Sequence, residues 1–141
     1  MTTARDIMTP GVECARTTDT VHAAARKMKD IGVGALPICN EDDRLAGMIT
    51  DRDIVLNCVA EGKDVTQVTV NELAGAEVVT IGADDSIEEA LSTMSRAGVR
   101  RLPVIDGHDL VGMISQADIA THLPEDRVGE LVEAISATPA D

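Results

Sequence analysis

Residues 47–54 read GMITDRDI and residues 112–119 read GMISQADI, so one short pattern occurs twice in this chain of 141 residues. In each copy a glycine precedes an apolar run typical of a strand, a hydroxyl residue follows the run, and an aspartate comes three positions later. Residues three apart share one face of a helix, so Thr50 and Asp53 are predicted to lie side by side at a helix N-terminus. Free N–H groups and the macrodipole favour an anion there. The pattern therefore predicts a site for a phosphate beside a sugar diol.

The same spacing has a second, purely structural interpretation. A hydroxyl residue followed three positions later by an acid forms a capping box, in which both side chains satisfy unpaired N–H groups at the helix end. Thr50 with Asp53, and Ser115 with Asp118, fit both interpretations. Duplication within matching surroundings favours a site, and the sequence leaves the capping alternative open.

The rest of the chain repeats in the same register, because residues 5–55 align with residues 71–120. Each copy predicts the order strand, helix, strand, strand, helix. A half of about 60 residues is marginal for folding alone, so the two halves are expected to pack on each other. The predicted organisation is a first repeat at 1–60, a linker at 61–69, a second repeat at 70–123, and a C-terminal amphipathic helix and tail at 124–141.

Hydrophobic periodicity and the positions of Gly and Pro predict the bounds of the helices and strands. Pro37, inside the second strand, suggests an edge position or an irregular start for that strand. The first copy predicts a helical turn at 3–8, a strand at 12–15, a helix that ends at Ile31 before Gly32, strands at 35–39 and 45–50, and a helix at 51–60. The second copy predicts the same order at 71–74, 78–81, 86–97, 101–105, 110–114 and 116–122.

Composition and charge exclude several classes of function. A net charge of -13 and a pI near 4.4 repel a nucleic-acid backbone, and the absence of Phe, Tyr and Trp removes the platforms on which single strands usually stack. No apolar run approaches the ~18 residues of a membrane-spanning helix. The first residues lack the layout of a signal peptide. We expect a cytoplasmic protein with neither nucleic-acid nor membrane partners.

Catalytic and metal-binding patterns are also missing from the sequence. His22, His108 and His122 have no metal-ligand spacing with the cysteines, so no metal site is expected. No nucleophile elbow, Walker loop or dinucleotide fingerprint occurs. The chain is therefore predicted not to be an enzyme and to require no cofactor.

The duplicated pattern resembles the CBS domain family, and two copies in one chain resemble a Bateman module. The resemblance rests on Leu36-Pro37-Ile38 and Leu102-Pro103-Val104, together with the glycine-apolar-apolar-Thr/Ser-x-x-Asp segment of each copy. Residues 4–8, 34–39 and 50–55 make the chain similar, more closely, to the small stand-alone hypoxia-response CBS proteins. The resemblance implies an α/β fold in which two CBS repeats (strand-helix-strand-strand-helix) pack as a pseudo-two-fold pair with two clefts between them.

Ligand-binding members of the family hold adenosine-containing molecules in these clefts, so the resemblance implies AMP, ADP, ATP or S-adenosylmethionine as ligand. By the same resemblance, the aspartate of each motif accepts hydrogen bonds from ribose hydroxyls and the Thr or Ser meets phosphate. Backbone groups beside the proline strand read the adenine edge. These roles fall on Asp53, Thr50, Ala35 and Leu36 in the first copy, and on Asp118, Ser115, Arg101 and Leu102 in the second.

Arg100 and Arg101 match the place where basic residues reach phosphate groups in nucleotide-binding relatives, whereas the first copy has Gly34 and Ala35 there. In a chain this acidic, a paired guanidinium site is needed to hold a polyphosphate. The second cleft is therefore favoured for a phosphorylated ligand. The alternative is a solvated pair of arginines at a strand end.

Cys14 and Cys39 fall in the first two strands of the first copy, where parallel pairing across a helix would set the two sulfurs opposite each other. A bridge closing a loop of about 25 residues adds roughly 3 to 4 kcal/mol. A cytoplasmic protein usually keeps its thiols reduced, however. The counterparts in the second copy are Thr80 and Ile105, so the fold itself does not require cysteine there. The pair is a candidate disulfide whose redox state stays open.

These observations predict a regulatory CBS-pair protein that senses an adenosine-containing ligand and signals to a protein effector, in a hypoxia or stress response. The alternative is a ligand-free interaction or structural CBS protein that acts through dimerisation or protein partners. Apolar helix faces on a two-repeat protein favour a homodimer in either case.

Overall fold

The computed structural model describes residues 2–74 and 78–137, and its mixed helices and sheets confirm the predicted α/β class. The end of the predicted tail, 138–141, lies outside the described residues. The first half contains α1 (Ala4–Ile7), β1 (Thr9–Pro10), β2 (Ala15–Arg16), α2 (Val21–Ile31), β3 (Ala35–Cys39), β4 (Leu45–Thr50), α3 (Asp51–Ile54) and a π-helical turn (Val55–Val59). The second half contains α4 (Val70–Leu73), β5 (Ile81–Gly82), α5 (Ile87–Ala97), β6 (Arg101–Asp106), β7 (Asp109–Ser115), α6 (Gln116–His122) and α7 (Glu125–Ser136).

The chain packs into two compact units whose limits differ from those of the sequence repeats. One unit, called here the second-repeat unit, combines the N-terminal residues through Val12 with the residues from Val79 onward. The other, the first-repeat unit, is Glu13–Val78. The opening helical turn of each repeat therefore packs in the unit that holds the body of the other repeat.

Backbone hydrogen bonds fasten these opening turns. In the second-repeat unit, the N–H of Ala4 donates to the carbonyl of Asp85 at 2.8 Å. In the first-repeat unit, the N–H of Val70 donates in the same manner to the carbonyl of Asp19 at 2.9 Å. Ala4 and Val70 are each 0% exposed, so each turn also contributes to the core of its unit.

The first-repeat unit is built on a three-stranded sheet of order β2-β3-β4, in which β2 is parallel and β4 antiparallel to β3. Helix α2 lies on this sheet because its apolar residues recur on one face. The Thr20 hydroxyl caps it by accepting from the N–H of Ala23 at 3.1 Å, and Gly32, at φ 82°, ends it in the left-handed region. The core comprises Ala15, Val21, Ala24, Met28, Leu36, Ile38, Ile49, Ile54, Cys58, Val70 and Leu73.

The second-repeat unit repeats this plan with a fourth strand, in the order β1-β7-β6-β5. Its additional helix, α7, buries Leu131 and Ile135 in the core and lies against α5. The Arg127 guanidinium pairs with Glu88 of α5, so an ion pair joins the first turn of α7 to α5. The amphipathic helix that was expected after Pro124 is thus part of the core of one unit.

Pro37 lies in the central strand of its sheet, not at an edge, yet its surroundings explain why proline is accepted there. The two-residue strand β2 pairs only with Ile38 and Cys39, so Pro37 has a ladder partner only on the β4 side. Pro103 has the same environment, because β5 pairs with β6 only from Val104 onward. A missing N–H is tolerated where no neighbouring strand needs it.

The helix predicted at 51–60 is α-helical only as far as Ile54. It continues as the π-helical turn, in which the N–H of Ala60 donates to the carbonyl of Val55 at 2.8 Å. Cys58 in this turn is 0% exposed, whereas Val55 and Val59 are 54% and 57% exposed. The wider turn thus buries one thiol and leaves two valines at the surface.

Leu131 tests the contribution of α7 to the core. It is 0% exposed, so Leu131→Ala is expected to lower the free energy of unfolding by about 2–5 kcal/mol, through lost burial and a residual cavity. The neighbouring Val132→Ala, at a site 38% exposed, should cost well under about 1 kcal/mol. Urea denaturation followed by circular dichroism measures both. Equal losses in the two variants would show that α7 does not pack as described.

Glu72 predicts a specific acid sensitivity. Its carboxylate accepts from the Thr69 N–H at 2.7 Å and from the Thr69 hydroxyl at 3.1 Å, and these bonds lower the pKa of Glu72 from its ordinary value of 4.5. A carboxyl whose pKa is depressed in the folded state stabilises the protein above its unfolded-state pKa and loses that contribution as the pH falls. The wild type should therefore lose stability between about pH 5 and pH 3 more steeply than Glu72→Gln. Thermal melts across this range measure how the unfolding temperature falls with pH. Glu61→Gln, the control, should lose stability as steeply as the wild type. If Glu72→Gln and Glu61→Gln lost stability equally steeply, the assignment to Glu72 would be wrong.

Candidate functional site

The first-copy motif lies where β4 passes into α3. Thr50 is the N-cap residue, and its hydroxyl accepts from the N–H of Asp53 at 3.0 Å. Asp53 returns the contact, because its Oδ2 accepts from the N–H of Thr50 at 2.9 Å. Both side chains are half-buried, and the pair is a complete capping box.

The second-copy motif has the same geometry where β7 passes into α6. The Ser115 hydroxyl accepts from the N–H of Asp118 at 3.2 Å, and Oδ2 of Asp118 accepts from the Ser115 N–H at 2.8 Å and from its hydroxyl at 3.1 Å. Both residues are again half-buried. The capping alternative raised by the sequence therefore describes a real role of all four side chains.

Capping and ligand binding do not exclude each other at these carboxylates. Every capping bond to Asp53 and Asp118 uses Oδ2, and within residues 2–74 and 78–137 no hydrogen bond reaches Oδ1 of either residue. A carboxylate offers about four acceptor positions on its two oxygens. Oδ1 can therefore accept from a ligand hydroxyl while the helix cap stays intact.

The strand register brings the proline strands to these motifs. Ala35 lies opposite Thr50 in the β3–β4 pair, and Arg101 lies opposite Ser115 in the β6–β7 pair. Directly opposed residues of an antiparallel pair have Cα atoms about 4.5–5.5 Å apart. The site residues predicted for each copy therefore meet within one unit.

Three of the residues predicted to line the ligand on the proline strands are buried. Leu36, Leu102 and Ala35 are 2%, 0% and 8% exposed, whereas Arg101 is half-buried. Of the proline-strand residues predicted for the site, Arg101 therefore has the most accessible side chain.

The two motifs differ in charge. Arg100 is exposed and Arg101 half-buried, and neither forms an ion pair with any residue that the structure describes. In the first copy, a Cβ placed on Gly34 would lie only 2.9 Å from Oδ2 of Asp51. A carboxylate therefore occupies the space beside the position that corresponds to Arg100.

Asp51 and its counterpart Gln116 are the site-flanking residues that the motif analysis missed. The N–H of Asp51 donates to the carbonyl of Gly34 at 2.9 Å, and the N–H of Gln116 donates to the carbonyl of Arg100 at 3.0 Å. Each residue directly follows the Thr or Ser of its motif. The alignment of the two copies could have identified this position, because it has an acid in the first copy and an amide in the second.

The structure joins Cys14 and Cys39 in a disulfide with the two Cα atoms 5.8 Å apart. The bridge spans β2 and β3 at the point where Ala15 pairs with Ile38. Cys39 is 1% exposed and Cys14 is half-buried. The third cysteine, Cys58, is free and buried.

The model of the CBS domain family matches this chain twice, at residues 4–59 and 70–125. The chain belongs to the CBS domain family. The two matches cover most of the sequence, so the duplicated pattern and the strand-helix-strand-strand-helix order are those of a CBS pair.

Two similar proteins align with most of this chain. Hypoxic response protein 1 of Mycobacterium tuberculosis is 49% identical over 140 residues, covering 99% of this chain and 98% of that protein. The CBS domain-containing protein YhcV of Bacillus subtilis is 38% identical over 122 residues, or 86% of each chain. The likeness to hypoxia-response CBS proteins that the sequence indicated is confirmed.

Two solved structures are informative neighbours. The crystal structure of Hypoxic Response Protein I with two coordinated zinc ions has a TM-score of 0.81 and 51% identity, and the alignment covers 87% of this chain and all of that one. A CBS domain pair in complex with 5′-methylthioadenosine and S-adenosyl-L-methionine has a TM-score of 0.76 and 26% identity, with coverage of 86% and 94%.

Across the described ranges 2–74 and 78–137, no three His, Cys, Asp or Glu side chains come together as a group that could hold a metal ion. None of the helices in these ranges has the length and hydropathy needed to cross a membrane.

Proposed function

We propose that this CBS-pair protein senses an adenosine-containing ligand and passes the occupancy of its sites to a protein effector. The observation that carries the proposal is geometric. In each repeat, a half-buried hydroxyl–carboxylate pair lies opposite the start of the proline strand, and one oxygen of its carboxylate accepts no hydrogen bond from the residues that the structure describes. The CBS pair that binds S-adenosyl-L-methionine and 5′-methylthioadenosine supports the ligand class, because it shares 26% identity with this chain.

Charge indicates which repeat takes a phosphorylated ligand. Arg101 lies opposite Ser115 in the β6–β7 pair and Arg100 precedes it, so the second repeat has two arginines next to its motif. A guanidinium group binds phosphate oxygens with two parallel hydrogen bonds. The first repeat instead has the Asp51 carboxylate next to Gly34, which repels phosphate. We therefore assign AMP, ADP or ATP to the second repeat. S-adenosylmethionine, which carries no phosphate, is compatible with the first.

The proposed role is regulatory and not enzymatic, and the proposed location is the cytoplasm. The 49% identity to Hypoxic response protein 1 supports a part in a hypoxia or stress response. The output then passes through a protein effector that responds to the occupied CBS pair.

Ligand binding is tested by scanning calorimetry of the full chain with AMP, ADP, ATP and S-adenosylmethionine in separate samples. A ligand at 100 times its dissociation constant should stabilise the protein by about 2.7 kcal/mol. Arg100→Gln with Arg101→Gln removes the proposed phosphate contacts without touching the helix cap. This double variant should lose the stabilisation by phosphorylated nucleotides and retain the stability of the free protein.

Two controls separate binding from capping. Arg96→Gln removes an exposed arginine from α5 and should leave the nucleotide response unchanged. Ser115→Ala should lower the stability of the free protein by about 1 kcal/mol through the lost cap. If none of the four ligands raises the unfolding temperature of the wild type, the motifs are helix caps only and the sensor proposal is wrong.

A ligand-free interaction protein is the second candidate, and the surface of the first-repeat unit favours it. Three apolar side chains are exposed there: Val55 at 54%, Leu56 at 42% and Val59 at 57%. In the second repeat, Ala120 corresponds to Val55 and Thr121 to Leu56. Adjacent exposed apolar side chains are typical of protein contact surfaces. We propose that this surface contributes to a homodimer.

Val55→Lys tests the homodimer, because a lysine ammonium cannot be buried without a partner charge. The variant should sediment as a monomer at micromolar concentration where the wild type sediments as a dimer. Ala120→Lys, the matched change in the second repeat, should remain dimeric. A monomeric wild type, or equal dissociation of both variants, would refute an interface centred on this surface.

A further inference from the structure

The Cys14–Cys39 bridge is a covalent difference between two otherwise matching strand pairs. In the first repeat, Ala15 pairs with Ile38 and Arg16 with Cys39. In the second repeat, the equivalent parallel pair places Ile81 opposite Val104 and Gly82 opposite Ile105. The positions that match the two cysteines there are Thr80 and Ile105, which cannot form a bridge. The strand pair therefore forms in the same register without a disulfide, so this register does not require the bridge.

The bridge lies beside a crossing of the chain from one unit to the other. Strand β1 pairs with β7 in the second-repeat unit, and strand β2 pairs with β3 in the first-repeat unit. Residues 11–14 connect these two strands, and the boundary between the units falls between Val12 and Glu13. The disulfide at Cys14 thus fixes one end of the connection to β3.

Noncovalent contacts hold the same end of the connection. Strand β2 is only two residues long, and Ala15 within it is buried. The Lys27 ammonium donates to the carbonyl of Cys14 at 2.8 Å. The N–H of Arg16 donates to Oδ2 of Asp19 at 2.9 Å, and the Arg16 guanidinium donates to the carbonyl of Asn40 at 2.9 Å and pairs with Asp43. After β2, the N–H of Thr17 donates to the carbonyl of Cys39 at 3.3 Å. Strand β2 is also at the edge of its sheet, and a two-residue edge strand opens locally at a lower free-energy cost when no covalent bond retains it.

The two ends of the bridge differ in burial. Cys14 is half-buried, whereas Cys39 is 1% exposed and Cys58 is 0% exposed. Thiol–disulfide exchange requires an attacking thiolate to reach a sulfur. Access is therefore better at Cys14, and Cys39 is the natural resolving partner inside the unit.

We propose that Cys14 and Cys39 form a reversible thiol–disulfide exchange site for low-molecular-weight thiols and disulfides. In the oxidised protein, the disulfide attaches β2 and the adjoining residues 11–14 to β3. In the reduced protein, this attachment is lost. Only the first repeat is subject to this control, because the second repeat has no cysteine at the matching positions.

The exchange balances without any further reactant. In oxidation, the Cys14 thiolate attacks a disulfide RSSR, forms a Cys14–S–S–R bond and expels RS⁻. The Cys39 thiolate then attacks the Cys14 sulfur, forms the internal bridge and expels the second RS⁻. The two cysteine protons end on two RSH molecules, and two electrons pass from the cysteine pair to RSSR. Reduction by two RSH molecules runs through the same mixed disulfide in reverse.

Two matched backbone amides provide the readout. The N–H of Thr17 donates to the carbonyl of Cys39, and in the second repeat the N–H of Ala83 donates to the carbonyl of Ile105 at 2.9 Å. Hydrogen exchange of the full chain, measured by NMR in reduced and in oxidised glutathione, compares these amides directly. Reduction should accelerate exchange at Thr17 at least ~10-fold, while Ala83 should change by less than ~2-fold.

Variants make the result specific to the bridge. Cys14→Thr with Cys39→Ile installs the residues of the second repeat, so this protein should fold, exchange rapidly at Thr17 in both buffers and give no redox response. Cys58→Ala should keep the full response of Thr17 to glutathione. Mass spectrometry after oxidation should show the loss of two hydrogen atoms in Cys58→Ala and none in the double variant.

Three results would overturn the proposal. The first is a folded wild type that retains all its cysteine hydrogens in oxidised glutathione. The second is a bridge that reduced glutathione opens only after global unfolding, since the disulfide would then be permanent. The third is equal exchange at Thr17 in both redox states, which would show that the bridge opens and closes without releasing the segment. A glutathione titration that reaches the same midpoint from both directions, together with the Thr17 response, supports the reversible site.

Discussion

The antiparallel pairing of each proline strand with the strand that ends in the motif is the constraint on which the rest of each unit depends. Its register sets Ala35 opposite Thr50 and Arg101 opposite Ser115. Side chains alternate between the two faces of a strand, so a shift by one residue would expose the buried face of β4, with Ile49, and that of β7, with Ile114. Burial of the core face therefore fixes the register, and the register in turn assembles each candidate site.

Two repeats with the same backbone plan carry different chemistry at corresponding positions. The first has Gly34 packed beside the Asp51 carboxylate, and the second has Arg100 beside Gln116. The same contrast applies to Cys14, which is bridged, and Thr80, which matches it. The backbone hydrogen bonds at these positions are the same in both repeats and do not depend on the side chains. The side chains can therefore differ without a change in the strand pairing. Duplication therefore explains how one fold can present two candidate sites that differ in charge and a disulfide in the first repeat alone.

The helix caps illustrate how structure and function can share a side chain. Thr50 and Ser115 satisfy backbone N–H groups, and their aspartate partners use Oδ2 to complete the caps. Among the residues that the structure describes, no hydrogen bond reaches the second oxygen of either aspartate. Under the proposed function, a substitution at Asp53 or Asp118 removes a helix cap together with a ligand contact, whereas Arg100 and Arg101 take no part in the caps.

The sequence by itself determined the duplication, the α/β class, the bounds of β4 and α6 and the pairing of hydroxyl with carboxylate, because local periodicity and capping chemistry depend on neighbouring residues. It also indicated that Cys14 and Cys39 could meet. Only the tertiary structure decided that each opening turn packs in the unit of the other repeat, that Pro37 sits in a central strand beside a two-residue neighbour, and that Asp51 fills the space next to Gly34. Those features depend on contacts between residues far apart in sequence. A local sequence pattern does not specify which distant residues pack against a buried surface.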